Sequence, residues 1–171
     1  MHADLARAEQ LIAVVPDFPE PGVLFRDIAP LLADAAAFRV CVEALVEPFR
    51  GGFDVVAGIE ARGFLLAGAA AVATGTGMVP IRKAGKLPRP AASVSYALEY
   101  GEAAVEASDD IPAGSRVLVL DDVLATGGTL RASHRLLAEL GAEVIGSAVL
   151  LELEALGGRA VAGDVHTVFT A

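Results

Sequence analysis

A chain of 171 residues, 54% apolar and 20% charged, has the size and composition of one globular domain with a substantial core, here residues 1–171. Its 22 acidic residues against 13 basic ones leave a net charge of −9, which argues against general nucleic-acid binding. Cys41 is the only cysteine, so an internal disulfide and a CxxC metal cage are both excluded.

The first ten residues, MHADLARAEQ, lack the long apolar centre of a signal peptide, and a cytoplasmic location is expected. Residues 3–13 read as a helix and 16–33 as a Pro-rich loop whose Phe, Val and Leu side chains pack it down. Asp34 is a good N-cap for a helix running through AAAFRVCVEALVEPF, with Cys41 as a small buried hydrophobe on it. Strand FDVVAGI (53–59), a helix over 63–73 and strand GMVPI (77–81) follow. The uncharged run Gly63–Pro80 is too rich in Ala, Gly and Thr to span a membrane; a buried helix and strand fit it better.

A Gly/Pro/Lys-rich loop (83–92) leads to SVSYALEY and GEAAVEAS, two antiparallel strands turning near Tyr100-Gly101. RVLVLDD (116–122) is a strand. A helix begins near Gly127, with Leu130, Leu137 and Leu140 on one face and Gly141 as its stop. Strands EVIGSAVLLEL (143–153) and VHTVF close the chain. This alternation predicts an α/β fold with a mainly parallel sheet and a local excursion at the hairpin. His134 lies in the helical stripe and reads as a structural histidine; His2 and His166 show no ligand spacing.

Charge is unevenly spread. From Ala61 to Leu98 there is no acid, while Arg62, Arg82, Lys83, Lys86 and Arg89 all fall inside. That window is +5, leaving eight bases against 22 acids elsewhere, or −14. Such a contrast suits a local polyanion site on an otherwise repelling surface.

The segment VLVLDDVLATGGTL (117–130) concentrates the chemistry. An aliphatic strand delivers Asp121 and Asp122 to the edge where open α/β sheets bind ligands. Ala125-Thr126-Gly127-Gly128-Thr129 then enters a helix with little side-chain bulk, so backbone N–H groups and two hydroxyls can converge on an anion. A Walker ending and a GxGxxG are both missing. Carboxylates just before a phosphate nest suit a sugar phosphate: the nest takes the phosphate and the acids accept from ribose hydroxyls.

Here the sequence resembles the type I phosphoribosyltransferases. FPEPGVLFRDIAPLL (18–32), GIEARGFLLAG (58–68), IRKAGKLPRP (81–90) and SYALEYG (95–101) resemble the corresponding segments of the adenine-using members, in the same order. The likeness runs from about Phe18 to Arg159 and implies that family's fold, a mainly parallel central sheet flanked by helices with a flexible hood over 83–107. It implies an enzyme of purine salvage in which Mg²⁺ assists transfer of the 5-phosphoribosyl group from 5-phosphoribosyl-1-diphosphate (PRPP) to N9 of adenine, giving AMP and pyrophosphate.

The resemblance also assigns roles. Asp121, Asp122 and Ala125 to Thr129 take the ribose and 5′-phosphate, and the Asp pair is a candidate Mg²⁺ contact through PRPP. Glu60, Ala61, Arg62, Arg82, Lys83 and Lys86 take pyrophosphate, with Arg62 counted as catalytic, and the Glu60–Ala61 peptide is expected to be cis. Arg89 departs from family members with Gly there and receives no role. Glu99 moves the proton of adenine, Tyr100 helps order the closed loop, and Leu24, Phe25 and Arg26 of the 1–33 segment read the base. A homodimer is implied, with no membrane or nucleic-acid partner. The competing readings are a transferase for hypoxanthine or xanthine, a PRPP-sensing regulator, and a phosphatase with Asp121 as nucleophile.

Overall fold

The computed structural model describes residues 2–98 and 101–171, which divide into two compact units, Met1–Ala44 and Leu45–Ala171. The smaller unit holds α1 (His2–Glu9), β1 (Ala13–Pro16), β2 (Leu24–Asp27), α2 (Ala29–Ala33) and most of α3 (Ala35–Val46). The expected helix over 3–13 stops early, and the expected loop over 16–33 contains a strand and a short helix. The β-branched pair Val14-Val15 favours an extended chain over a last helical turn. Asp17 (φ 58°) and Gly22 (φ 90°) then turn it, with the Gly22 N–H donating to Asp17 Oδ1 at 2.7 Å, and Phe18 meets Phe25 edge to face at 5.0 Å.

Asp34 caps α3 as predicted: its Oδ1 accepts from the N–H groups of Ala36 and Ala37 at 3.1 and 2.9 Å. The Arg7 guanidinium and those amides hold the Asp34 carboxyl down at about 2. Cys41 is buried, which pushes its thiol up to about 12.

The larger unit contains β3 (Val55–Ile59), α4 (Gly63–Thr74), β4 (Gly77–Lys83), β5 (Ala92–Leu98), β6 (Gly101–Ala107), β7 (Arg116–Leu124), α5 (Gly128–Glu139), β8 (Glu143–Glu152), α6 (Arg159–Ala162) and β9 (His166–Thr170). Seven strands form one sheet in the order β5-β6-β4-β3-β7-β8-β9. From β4 to β9 neighbours run parallel, while β6 is antiparallel to both β4 and β5, which is the predicted excursion at the hairpin.

The two-residue period of the strands divides the sheet between its helices. Ala57, Ile59, Val117 and Val119 join Leu130, Leu136 and Leu137 of α5 in one buried cluster. Gly58 faces α4 instead, where a Cβ would come within 2.7 Å of Ala67 Cβ. Each of these large aliphatic side chains, once fully buried, stabilises the fold by about 1.5–3 kcal/mol, and Leu118 and Leu120 of β7 are wholly buried.

The Gly63–Pro80 run is a helix and a strand, and among the described residues no helix is long and apolar enough to cross a membrane. His134 is half-buried with Nε2 2.6 Å from Ser147 Oγ, and burial lowers its pKa, so it is a satisfied structural histidine.

Candidate active site

Strand lengths open the site. Pairing of β3 with β7 ends at Gly58–Leu120, whereas β7 continues against β8 to Leu124–Glu152. Asp121 and Asp122 are therefore interior residues of β7, not its last ones, but their β3 flank is unpaired and faces the turn Glu60-Ala61-Arg62. That turn crosses close beneath them: a Cβ on Gly63 would lie 2.8 Å from Leu120 O and 3.1 Å from Asp121 Oδ1. The Glu60–Ala61 peptide is cis, as expected.

A cavity of about 520 Å³ lies over this edge, lined by Ile59, Glu60, Ala61, Arg62, Ile81, Lys83, Tyr96, Ala103, Val105, Asp121, Asp122 and Thr129. Residues from six elements, β3 with its following turn, β4, β5, β6, β7 and α5, thus reach one space, among them predicted members of both the ribose-phosphate and pyrophosphate groups. Asp121 and Asp122 are 9% and 7% exposed. Burial, and then the neighbouring Asp122 charge, push the Asp121 carboxyl well above the usual range. Asp121 Oδ1 accepts from the Asp122 N–H at 2.8 Å. Arg62 Nε lies 2.8 Å from Asp122 Oδ2 as an ion pair, yet that oxygen accepts no hydrogen bond among the described residues. A buried carboxylate oxygen in this condition is suited to accept from a ligand hydroxyl or to bind a cation.

Beyond β7 the chain makes the turn Ala125-Thr126-Gly127 into α5. Gly127 has φ 82°, the left-handed conformation that a side chain disfavours, and a Cβ there would meet Gly158 O at 2.3 Å. Gly158 in turn has room for no Cβ, which would sit 2.3 Å from Ala125 O. The backbone of the turn thus rests directly on the backbone before α6. Arg159 anchors that support: its guanidinium donates to Glu152, to Val165 O at 2.7 Å and to Thr167 Oγ1 at 3.1 Å. At the start of α5 the first N–H groups have no intrahelical acceptor, and together with the helix dipole they suit an anion. Thr129 lines the cavity, and its Oγ1 donates to the Tyr96 hydroxyl at 3.1 Å.

On the opposite rim the basic residues gather around one carboxylate. Glu60, whose side chain is 8% exposed, accepts from Lys86 Nζ at 2.5 Å, from the Lys83 N–H at 2.9 Å and from Arg82 Nε at 3.4 Å. Burial pushes the Glu60 carboxyl up, but Lys86, the Lys83 amide and Arg82 together outweigh it and hold it at about 2. Arg82 also donates to Lys86 O at 3.0 Å, tying the start of the 84–91 loop to β4. Lys83 lines the cavity; Arg82 and Lys86 reach it through Glu60. Arg89 stands apart, 3.7 Å from Asp110 at the surface.

Leu24, Phe25 and Arg26 form β2 of the smaller unit. Pro16, opposite Leu24, has no N–H, so that pair cannot exchange two hydrogen bonds. Proline suits the non-hydrogen-bonded sites of an antiparallel ladder, and in that phase the N–H and C=O of both Leu24 and Arg26 point away from β1. Glu99 and Tyr100 lie outside the described residues. Sequence reasoning passed over Tyr96, Gly158 and Arg159; the strand alternation of SVSYAL and the Gly157-Gly158 pair were their available signals.

The family model of the phosphoribosyl transferase domain matches residues 31–168. Adenine phosphoribosyltransferase of Renibacterium salmoninarum is 63% identical over 157 residues, covering 91% of this chain and 86% of that protein. The crystal structure of adenine phosphoribosyltransferase from Rhodothermus marinus superposes with a TM-score of 0.93 at 46% identity over 100% of both chains. That of Saccharomyces cerevisiae, complexed with an imino-altritol bisphosphate and adenine, gives 0.92 at 35% identity over 98% of this chain and 99% of the other. The fold and much of the sequence are thus shared along nearly the whole chain with proteins of known kind, and this chain belongs to the phosphoribosyltransferase family, among the adenine phosphoribosyltransferases.

Proposed function

We propose that the protein transfers the 5-phosphoribosyl group of PRPP to N9 of adenine, releasing AMP and pyrophosphate, with the chain acting as a single phosphoribosyltransferase domain. The observation that carries this reading is the single cavity lined by Asp121, Asp122 and Thr129 on one side and Glu60, Arg62 and Lys83 on the other. Ribose and its 5′-phosphate suit the first side, and a pyrophosphate suits the second. In this reading Ala125, Thr126, Gly127 and Gly128 present backbone N–H groups to the 5′-phosphate, and the carboxylates accept from ribose hydroxyls. Cleavage of the C1′–O bond leaves cation-like character on the ribose while charge builds on the departing pyrophosphate. The task of Arg62, Arg82, Lys83 and Lys86 is to meet that charge in fixed positions.

Among the described residues no three His, Cys, Asp or Glu side chains make a metal cage. Two carboxylates with an oxygen short of hydrogen bonds still fit Mg²⁺, which characteristically binds one or two protein carboxylates and completes its shell with substrate phosphates and water. Asp121 and Asp122 would hold it with PRPP; when bound it neutralises charge on the diphosphate. Glu99 is assigned the transfer of the adenine proton and Tyr100 the ordering of the 84–91 loop as a cover. The outward edge of β2 supports base reading by Leu24 C=O and Arg26 N–H, which match the N6 donor and N1 acceptor of adenine. A homodimer in the cytoplasm completes the proposal; light scattering after gel filtration checks the dimer.

The test is chromatographic detection of AMP from purified protein, adenine, PRPP and Mg²⁺, with hypoxanthine, guanine and xanthine run beside it. AMP from adenine alone, and a loss of at least about 100-fold in Glu99→Ala, is expected. A comparable rate with hypoxanthine overturns the base assignment. PRPP binding without any nucleotide product would make the chain a sensor.

A further inference from the structure

Tyr96 belongs to β5 and has no role in the proposed reaction, yet it lines the same cavity as Asp121, Asp122 and Thr129. Its hydroxyl is 3.1 Å from Thr129 Oγ1 and has no other hydrogen-bond partner among the described residues. Its ring lies against the first residue of α5: a Cβ on Gly128 would be 3.4 Å from Tyr96 Cδ2. Register fixes the ring in turn, since Tyr96 pairs with Ala103 and the preceding inward residue, Val94, is buried opposite Val105.

We propose that Tyr96 is a positioning residue for the 5′-phosphate, acting through Thr129 by supplying it with a proton donor. The inference rests on the phosphoribosyl-transfer reading above. Thr129 has one hydroxyl hydrogen, and it is engaged with the Tyr96 oxygen. A phosphate oxygen can only accept, so Thr129 can serve it only by turning that hydrogen to the ligand. The Thr129 oxygen is then left facing a phenol whose own hydrogen is uncommitted, and the bond between the two hydroxyls re-forms in the opposite sense. A phenol is more acidic than an alkyl alcohol and the better donor, and donation to Thr129 polarises that hydroxyl toward the anion. The relay, Tyr96 to Thr129 to phosphate, keeps every hydroxyl satisfied with ligand bound and aims the Thr129 hydrogen. Pyrophosphate, held at the Glu60 rim, does not use it.

Calorimetric titration of ribose 5-phosphate, PRPP and pyrophosphate into wild-type, Tyr96→Phe, Thr129→Val and the double variant tests this. Phe keeps the ring on Gly128 and removes only the hydroxyl. Loss of one such bond is expected to weaken ribose 5-phosphate and PRPP about three- to tenfold. The KM for PRPP should rise in the same ratio at nearly constant kcat, and pyrophosphate binding should be unchanged. Because Tyr96 acts through Thr129, adding Tyr96→Phe to Thr129→Val should cost nothing further.

Equal losses for pyrophosphate, unchanged ribose 5-phosphate affinity in Tyr96→Phe, or full additivity in the double variant would each overturn the proposal. Should Tyr96→Phe unfold, Thr129→Ser decides: it retains the hydroxyl and must bind ribose 5-phosphate like wild type while Thr129→Val does not. A wild-type protein that binds ribose 5-phosphate but makes no AMP refutes the proposed reaction alone. The binding comparison then still decides the role of Tyr96.

Discussion

The two sides of the cavity are built by different physics. On the side of Thr129 the shape is made by backbone against backbone: Gly127 and Gly158 approach so closely that neither position admits a Cβ. The Glu60 side is made by charge, with the Arg82 guanidinium and the Lys86 ammonium around one carboxylate, both cations themselves one-third to one-half exposed. A steric construction fails abruptly when an atom is added; an electrostatic one in contact with water weakens by degrees and responds to salt and pH.

The most damaging change should therefore be the smallest one. Gly158→Ala adds one methyl 2.3 Å from Ala125 O, and Gly158 has an ordinary φ, so the whole effect is collision with the turn. Destabilisation of about 1–3 kcal/mol is expected, with kcat/KM for PRPP down by about 100-fold as the nest shifts; thermal melts and steady-state kinetics check both. Next, Asp121→Asn should separate binding from stability. Its pKa is raised by burial and by Asp122, so ionisation of Asp121 costs stability once the pH exceeds the ordinary carboxyl value of 3.8. At pH 7 the Asn variant should melt higher by about 2–4 °C while binding PRPP more weakly by about tenfold.

On the charged side, Glu60 titrates at about 2 in the fold against an ordinary 4.5. Its contribution is present above pH 4.5 and is lost as the pH falls toward 2. Glu60→Gln should thus lower stability by about 1–2 kcal/mol at pH 6 and match wild type near pH 2, as read from urea melts across that range. The gentlest effect belongs to Lys86→Ala, which should reduce pyrophosphate affinity by about fivefold in low salt and less at high ionic strength. If Gly158→Ala proves salt-sensitive, or Lys86→Ala does not, the contrast between the two sides fails.

Much of the larger unit was legible because its strands are apolar runs bounded by Gly and Pro, and because VLVLDD and ATGGT are contiguous in the chain. The smaller unit was read less well. Leu24–Asp27 is only four residues long and pairs with β1 alone, so it carries no periodicity that distinguishes it from a loop. Asp34 as a cap was legible, since capping is local; Arg7 reaching Asp34 across 27 residues was not. The same distinction holds in the site. Asp121, Asp122 and Thr129 announce themselves by spacing, whereas Tyr96 and Gly158 matter through partners 33 and more than 30 residues away in the chain, which no local pattern records.

Glu60 also bears on how the reaction ends. If pyrophosphate binds this rim, it arrives at cations that already have an anion, so binding is an exchange of counter-ions and not a capture by bare charge. The intrinsic carboxylate is tethered and always at hand to take Lys86 and Arg82 back. The rim then works like a loaded ion exchanger: it holds the leaving group during bond cleavage, forgoes part of its affinity, and in return speeds departure of the product.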